Sequence, residues 1–202
     1  SVALTGDGAD ELFGGYNRYL YGPKLWKYLS NLPFPIRKLI GKTSVMLSEN
    51  SWNRLGQAYN KIRRGNTGIS HLGSKVHRLG ERLGLINSLD DLHTYMASNW
   101  IKPERLFINK TSEADLNYYD KVSEIDNDNP ISKMMAKDMH GYLPDDILCK
   151  LDRAAMGVSL ETRTPFLDPN VIKLSTRLPV KMKINETQSK WALRQVLYKY
   201  VP

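Results

Sequence analysis

The stretch that decides the fold is Ser1-Val-Ala-Leu-Thr-Gly-Asp-Gly-Ala-Asp-Glu-Leu-Phe-Gly-Gly-Tyr16 at the start of the chain. Its first apolar residues are typical of a short buried strand. The Gly-Asp-Gly that follows predicts a turn, because glycine allows positive φ and lets the backbone approach a ligand closely. Asp7 or Asp10 is then expected to cap a short helix, which the paired glycines end. The pattern is therefore strand, turn and helix.

Three carboxylates, those of Asp7, Asp10 and Glu11, lie within five positions of this turn. Asp7 and Asp10 share a face if both are helical, and two such charges repel each other unless a cation lies between them. Mg²⁺ suits such a place, since it usually takes one or two carboxylates plus phosphate oxygens. The same residues also fit a solvated turn with a capping aspartate. Spacing alone leaves both interpretations open.

Composition excludes several classes of protein. The 202 residues carry a formal net charge of +8, but the basic residues are spread and no aromatic-interleaved basic platform occurs, so we expect no nucleic-acid partner. No apolar run approaches a membrane span and no signal peptide is visible, so we expect no membrane partner. The single cysteine, Cys149, allows no disulfide within the chain. That fits a reducing, cytoplasmic compartment.

The rest of the chain predicts a mainly α-helical fragment with at most one or two short N-terminal strands. Almost no segment alternates with period two. Gly22-Pro23 predicts a break between helices, and Ser88-Leu-Asp-Asp91 predicts a capping box. Since one strand cannot form a sheet, we expect the rest of the sheet to lie in another part of a larger protein.

Two later segments hold further candidate residues. Asp145 and Asp146 follow Pro144, where a new helix is expected and where acidic residues suit its positive end without any chemistry. Glu161 and Arg163 are expected to pair and to fix an irregular, charged loop. Lys190 is expected in the first turn of the last helix. A lysine is disfavoured there, so it is either a functional position or a surface lysine.

Three segments resemble the asparagine synthetase family. GDGADELFGGY at residues 6–16 is similar to that family's SGDGADELFGGY. YLPDDILCKLDRAAMGVSLETRTPFLD at 142–168 is similar to YLPDDILVKVDRASMAxSLEARxPFLD, and KWALRQVLYKYVP at 190–202 is similar to KxxLRxxxxxxxP. The region from about Lys24 to Asn129 carries no motif that can be assigned.

The resemblance implies an α/β ATP-pyrophosphatase domain, of the adenine-nucleotide α-hydrolase-like type, that uses ATP and Mg²⁺. A carboxylic acid, aspartate in the namesake enzymes, attacks ATP to give an acyl-adenylate, and ammonia released from glutamine then forms the amide. The family's SGGxDS pyrophosphate loop and its glutaminase cysteine are not found in these 202 residues. We therefore interpret residues 1–202 as the C-terminal portion of the synthetase domain, inactive without the missing N-terminal domains of the same polypeptide.

The resemblance also implies residue roles. Asp10 holds Mg²⁺ on the pyrophosphate, with Glu11 as an alternative or additional ligand. Asp7 helps to deprotonate the attacking ammonia, and Asp146 (or Asp145) is a second acid of the cleft. Lys190 neutralises charge that grows on phosphate or on the tetrahedral intermediate. The remaining matched positions are assigned to substrate and ATP binding or to holding the shape of the cleft: Gly6, Gly8, Glu161 and Arg163.

Two alternatives stay open from the sequence. One is a relative that amidates another carboxylic acid, because the acid pocket is expected largely in the missing half. The other is a non-catalytic helical scaffold or binding module that retains the acidic turn. A homodimer is a further open prediction.

Overall fold

The computed structural model describes residues 1–62, 71–98, 129–186 and 188–201. These residues form two compact units. The described residues of 1–24 and 129–201 make up the first unit, and those of 25–98 make up the second. The boundary falls inside a helix, between Lys24 and Leu25.

Two strands, β1 (Val2–Leu4) and β2 (Glu161–Arg163), form a parallel pair. The α-helices of the described residues are, in chain order, α1 (Ala9–Phe13), α2 (Asn17–Ser30), α3 (Phe34–Met46), α4 (Glu49–Ile62), α5 (Leu72–Leu83), α6 (Leu89–Ala97), α7 (Pro130–Lys137), α8 (Cys149–Met156), α9 (Pro169–Arg177), α10 (Val180–Lys183) and α11 (Trp191–Leu197). A π-helix (Asp138–Leu148) joins α7 to α8, and a 3-10 turn (Pro165–Leu167) follows β2. The prediction of a mainly helical fragment is confirmed.

The position of the second strand corrects the sequence prediction. Val2 lies opposite Glu161 and Leu4 opposite Arg163, so the partner of β1 comes from a segment that was expected to be an irregular loop. A strand of three residues is too short to show a period, and its pairing is decided by contacts far apart in the sequence. Val2 and Leu4 are exposed rather than buried, because the described sheet has only these two strands.

The core of the first unit forms around α1. Leu12 and Phe13 are almost completely buried, and the ring of Phe13 meets the ring of Phe166 edge-on, with centroids 6.0 Å apart. Met134 and Met135 of α7 are also buried. Helix α1 has only five residues, too few to be stable alone, so burial of its apolar face holds it in place.

A buried ion pair joins the start of α2 to the π-helix. Arg18 donates from Nε to Oδ2 of Asp138 at 2.9 Å, and the Tyr19 hydroxyl donates to the same oxygen at 2.5 Å. The Arg18 guanidinium also lies over the rings of Tyr16 and Tyr142, 4.1 and 4.7 Å from their centroids. Burial and the charge of Asp138 raise the pKa of the Tyr19 hydroxyl, which therefore stays protonated and donates.

Two prolines lie inside helices where the sequence predicted a break. Helix α2 continues through Pro23, since Tyr19 before it and Leu29 after it are both anchored by burial. Pro144 lies inside the π-helix rather than at the start of a new helix. Proline has no amide hydrogen and crowds the preceding turn, and the wider π-helical turn accommodates both effects. Both predicted breaks were wrong because tertiary packing outweighs the local signal.

The second unit is built on a close crossing of α3 and α5. A side chain on Gly41 would meet the carbonyl oxygen of Gly80 at 2.5 Å, so both helices need glycine where their backbones approach. The predicted capping box is confirmed: the Ser88 side chain accepts from the Asp91 amide, and the Asp91 side chain accepts from the Ser88 amide, at the start of α6.

Across the described residues, none of the helices has the length and apolar character needed to cross a membrane.

We predict that Asp138→Asn destabilises the first unit. The change leaves the Arg18 guanidinium buried without its counter-charge, which is expected to cost about 3 kcal/mol. Hydrogen exchange should show this as about a hundredfold loss of protection in α2 and the π-helix. Asp152→Asn, at an exposed position on α8, is the matched control and should leave protection unchanged. Equal behaviour of the two variants would contradict the role given to the ion pair.

Candidate functional site

Parallel pairing places the Gly-Asp-Gly turn at the carboxyl end of both strands. The Thr5 amide donates to the carbonyl of Arg163 at 2.9 Å, which continues the pairing one residue past β1. The turn then passes the 3-10 segment, where a side chain on Gly8 would meet Leu167 Cδ2 at 2.5 Å. Ligands of open parallel sheets bind beyond the carboxyl ends of the strands, so this edge is the expected position for chemistry.

Gly8 confirms the prediction of positive φ in the turn, and it also corrects the predicted cap. Its φ is +86°, and it is the residue that precedes α1, with no side chain capping that end of the helix. Neither Asp7 nor Asp10 caps the helix, because Gly8 already makes the turn and the Asp10 carboxylate has another partner. Gly14, with φ of +72°, ends α1 as predicted.

An ion pair between Asp10 and Lys190 joins the two ends of the chain. Nζ of Lys190 lies 2.9 Å from Oδ1 of Asp10, and the two side chains are 31% and 35% exposed, respectively. Lys190 has φ of +52° and stands just before α11 rather than in its first turn. A lysine rarely adopts this left-handed conformation, so the backbone carries local strain at the residue that meets Asp10.

Gly15 makes room for this ion pair. A side chain at this position would overlap the Asp10 carboxylate and Cε of Lys190. Sequence reasoning treated Gly14 and Gly15 together as the end of the helix and missed this function. The second glycine was the signal in the sequence that could have revealed this function. One glycine, Gly14, is enough to end a helix, so Gly15 must have another reason to be glycine.

Glu11 points into the first unit, toward Tyr16. It is 1% exposed, and Oε1 accepts a hydrogen bond of 2.6 Å from the Tyr16 hydroxyl. Burial raises the pKa of the Glu11 carboxyl, although the Tyr16 hydrogen bond opposes the shift, and burial with this contact raises the pKa of Tyr16. The carboxylates of Asp10 and Glu11 therefore point to different partners, Lys190 and Tyr16. The contact between Glu11 and Tyr16 was not predicted from the sequence.

Asp7 lies half-buried between the two turn glycines. Among the residues that the structure describes, no hydrogen bond or ion pair engages its carboxylate. A side chain on Gly6 would meet nothing within 4 Å, so the space beside this part of the turn is open. A carboxylate in this position can accept a proton from a ligand.

The other predicted residues lie on the π-helix and on β2. Asp146 is paired with Lys150 at 2.5 Å, and Asp145 is exposed; no described contact joins either to Asp7 or Asp10. Glu161 and Arg163 form the predicted pair at 2.8 Å, on one face of β2 because they are two residues apart. Both are exposed, beside the edge where the turn lies.

The fit to Mg²⁺ rests on Asp10. No group of three or more histidines, cysteines, aspartates or glutamates in the described parts of the chain is placed to hold a metal ion. A site that phosphate completes needs only one or two carboxylates. Asp10 supplies one that is partly accessible, whereas the Glu11 oxygens lie buried toward Tyr16. The metal assignment stays a prediction.

Comparison with known proteins identifies the family. The family model described as Asparagine synthase matches residues 1–202. The chain belongs to the asparagine synthase family. The resemblance carried by the three motifs is thereby confirmed.

The relatives that match this chain are much longer than the chain itself. It is 34% identical over 202 residues to the putative asparagine synthetase (glutamine-hydrolyzing) of Mycobacterium tuberculosis strain H37Rv. The matched region is 100% of this chain and 28% of that protein. It is 28% identical over 205 residues to asparagine synthetase (glutamine-hydrolyzing) 1 of Bacillus subtilis strain 168, with the same coverage of 100% and 28%. No solved structure matches the chain. The chain therefore spans little more than a quarter of the length of these relatives.

We predict that Gly15→Ala destabilises this family member. The added methyl group must displace Asp10 or Lys190, and such overpacking costs about 1–3 kcal/mol. Thermal or urea unfolding measures the loss. Gly6→Ala is the matched control, because its methyl group enters open space, and its effect should stay within about 0.5 kcal/mol. If Gly15→Ala is as stable as the control, the ion pair does not need the space that Gly15 provides.

We also predict that Glu11→Gln gains stability relative to the native chain as the pH rises. The raised pKa of Glu11 means that the folded state binds this proton more tightly than the unfolded state. The contribution of Glu11 is therefore greatest below its ordinary pKa and falls as the pH rises through the folded value.

Unfolding free energies of both proteins at about pH 4 and about pH 7 test this linkage. The difference, Glu11→Gln minus native, should increase with pH. This increase should be larger than the corresponding increase for Glu186→Gln, the control variant that replaces an exposed glutamate. A difference that is constant or falls with pH would show that burial does not penalise the charged Glu11.

Proposed function

We propose that this chain is the C-terminal part of the synthetase domain of a glutamine-hydrolysing asparagine synthetase. The complete enzyme would convert aspartate to asparagine with ATP, Mg²⁺ and ammonia from glutamine. The family match over residues 1–202 and the names of the relatives support this proposal. The observation that carries it is the Asp10–Lys190 pair, held beside the turn at the carboxyl end of the strands.

The proposed reaction has two steps. The substrate carboxylate attacks the α-phosphorus of ATP, which releases pyrophosphate and leaves an acyl-adenylate. Ammonia then attacks the acyl carbon, loses a proton and displaces AMP. Mg²⁺ would supply positive charge to the pyrophosphate oxygens.

Lys190 would stabilise negative charge that develops on phosphate or on the tetrahedral intermediate. In the described structure its ammonium is neutralised by Asp10. Both side chains are about one-third exposed, so a phosphate group can share Lys190 and a metal ion can share Asp10. A preorganised charge of this kind is effective because it need not be reoriented during the reaction.

Asp7 would accept the proton that ammonia loses. Its half-buried carboxylate is engaged by no other described residue, as this role requires. Gly6 and Gly8 would let the backbone approach the nucleotide, since the first has open space around it and the second has positive φ. Glu11 would act mainly by fixing α1 through Tyr16, with its predicted metal contact as an additional role.

Asp146, Glu161 and Arg163 would line the cleft. In this proposal, the ion pair between Asp146 and Lys150 opens when the substrate binds, and Asp146 then contacts the substrate. The Glu161–Arg163 pair keeps the end of β2 in shape beside the turn.

The remaining partners would come from the same, longer polypeptide. The relatives' extra length leaves room for a glutaminase domain that supplies ammonia and for the pyrophosphate loop. We place the enzyme in the cytoplasm, in line with the single cysteine of residues 1–202, which allows no disulfide within them. A homodimer stays a prediction that sedimentation of the complete protein would test.

Pyrophosphate release by the complete protein tests the proposal. With Mg·ATP and ammonia, aspartate should drive release, and Asp10→Asn and Lys190→Met should each reduce the rate by about a hundredfold or more without unfolding the protein. Lys199→Met is the control, since Lys199 is exposed in the last turn of the chain, and should keep the native rate.

The outcomes separate the alternatives. If another carboxylic acid drives release, the chemistry stands and the substrate changes. If no acid drives release and Asp10→Asn leaves ATP binding intact, the acidic turn is structural, and the chain is a helical scaffold.

A further inference from the structure

A cavity lies within the first unit, beside α1. Its volume is about 540 Å³, and its walls come from α1, α7, the π-helix, α9 and α10. Glu11 and Leu12 line it, but Asp7, Asp10 and Lys190 do not. Pockets for small molecules usually measure about 300–1,000 Å³, so the cavity is large enough to hold one.

Lys183 is the unusual group in this cavity. It is the last residue of α10, is 9% exposed and lines the cavity. No hydrogen bond or ion pair joins it to any residue that the structure describes. Burial lowers the pKa of its ammonium group, as expected for a charge that is largely withdrawn from water without a partner. Buried lysines are ordinarily paired.

The other lining groups favour an anion with an apolar body. Arg177 adds a second positive charge, and the carboxylate among the lining residues, Glu11, already accepts from Tyr16. The apolar part of the wall is made of thioethers and aliphatic groups: Leu12, Met135, Met139, Leu178, Pro179 and Val180. Methionines adapt to ligands of different shapes.

We propose that this cavity binds a small organic carboxylate, whose carboxyl group pairs with Lys183 while its short hydrocarbon part contacts Met135, Met139 and Val180. The ligand supplies the counter-charge that Lys183 lacks among the described residues. A charge-assisted hydrogen bond in a buried site is strong, and the apolar wall contributes the rest. Glu11 belongs both to the acidic turn and to the wall of the cavity, but Asp7, Asp10 and Lys190 do not line the cavity, so the proposed ligand does not contact the Asp10–Lys190 pair.

Binding of hexanoate to the complete protein tests the proposal. Hexanoate should bind and raise the thermal unfolding temperature, whereas hexylamine and sodium chloride at equal ionic strength should not. Lys183→Met keeps an unbranched side chain that is one atom shorter and removes the charge, and it should weaken hexanoate binding about tenfold or more. Lys181→Met is the matched control on the same helix, since Lys181 is exposed, and should bind as the native protein does.

A second measurement is independent of the folding of any variant. Labelling of the native protein with an amine-reactive reagent, read by mass spectrometry, should show that hexanoate protects Lys183 and leaves Lys181 labelled as before. Three results would overturn the proposal: no binding of hexanoate, equal binding by Lys183→Met, or a similar response to hexylamine. If Lys183→Met releases pyrophosphate at the native rate, Lys183 is not needed for the synthetase reaction, and the two sites are functionally distinct.

Discussion

The site depends on one electrostatic contact, the ion pair between Asp10 on α1 and Lys190 just before α11. It connects residues 180 positions apart, and it needs two unusual backbone features. Gly15 leaves space under the pair, and Lys190 adopts a left-handed conformation to reach it. Strain of this kind persists only when the surrounding structure holds it in place. Here the surrounding structure is the core around α1 and the parallel pairing of β1 with β2.

Buried polar groups connect this site to the helices behind it. Glu11, the residue after Asp10, is held by Tyr16, and the Tyr16 ring lies under the guanidinium of Arg18. Arg18 in turn pairs with Asp138 in the π-helix. Glu11, Tyr16 and Asp138 each have a hydrogen-bond partner, whereas Nη2 of Arg18 is buried without one in the described structure. Satisfied contacts of this kind make a buried network specific. The orientation of α1 is therefore determined by the π-helix as well as by the sheet.

Several elements could be predicted from sequence because their causes are local. The Gly-Asp-Gly turn, the end of α1 at Gly14 and the capping box at Ser88 each follow from the preferences of neighbouring residues. The breaks predicted at Pro23 and Pro144 were wrong because burial and a π-helical turn outweigh the local effect of proline. The pairing of β1 with β2 was not predicted either, since a three-residue strand has no pattern that identifies its partner.

The sequence by itself determined the family, the helical character of the fragment and the acidic residues of the turn, because motifs and periodicity are properties of neighbouring positions. Only the tertiary structure decided which of those residues meet. It placed Lys190 on Asp10, turned Glu11 toward Tyr16 and left Lys183 without a described counter-charge beside a cavity. The physical reason is that charge pairing, desolvation and close packing depend on distances between atoms, and residues far apart in sequence become neighbours only when the chain folds.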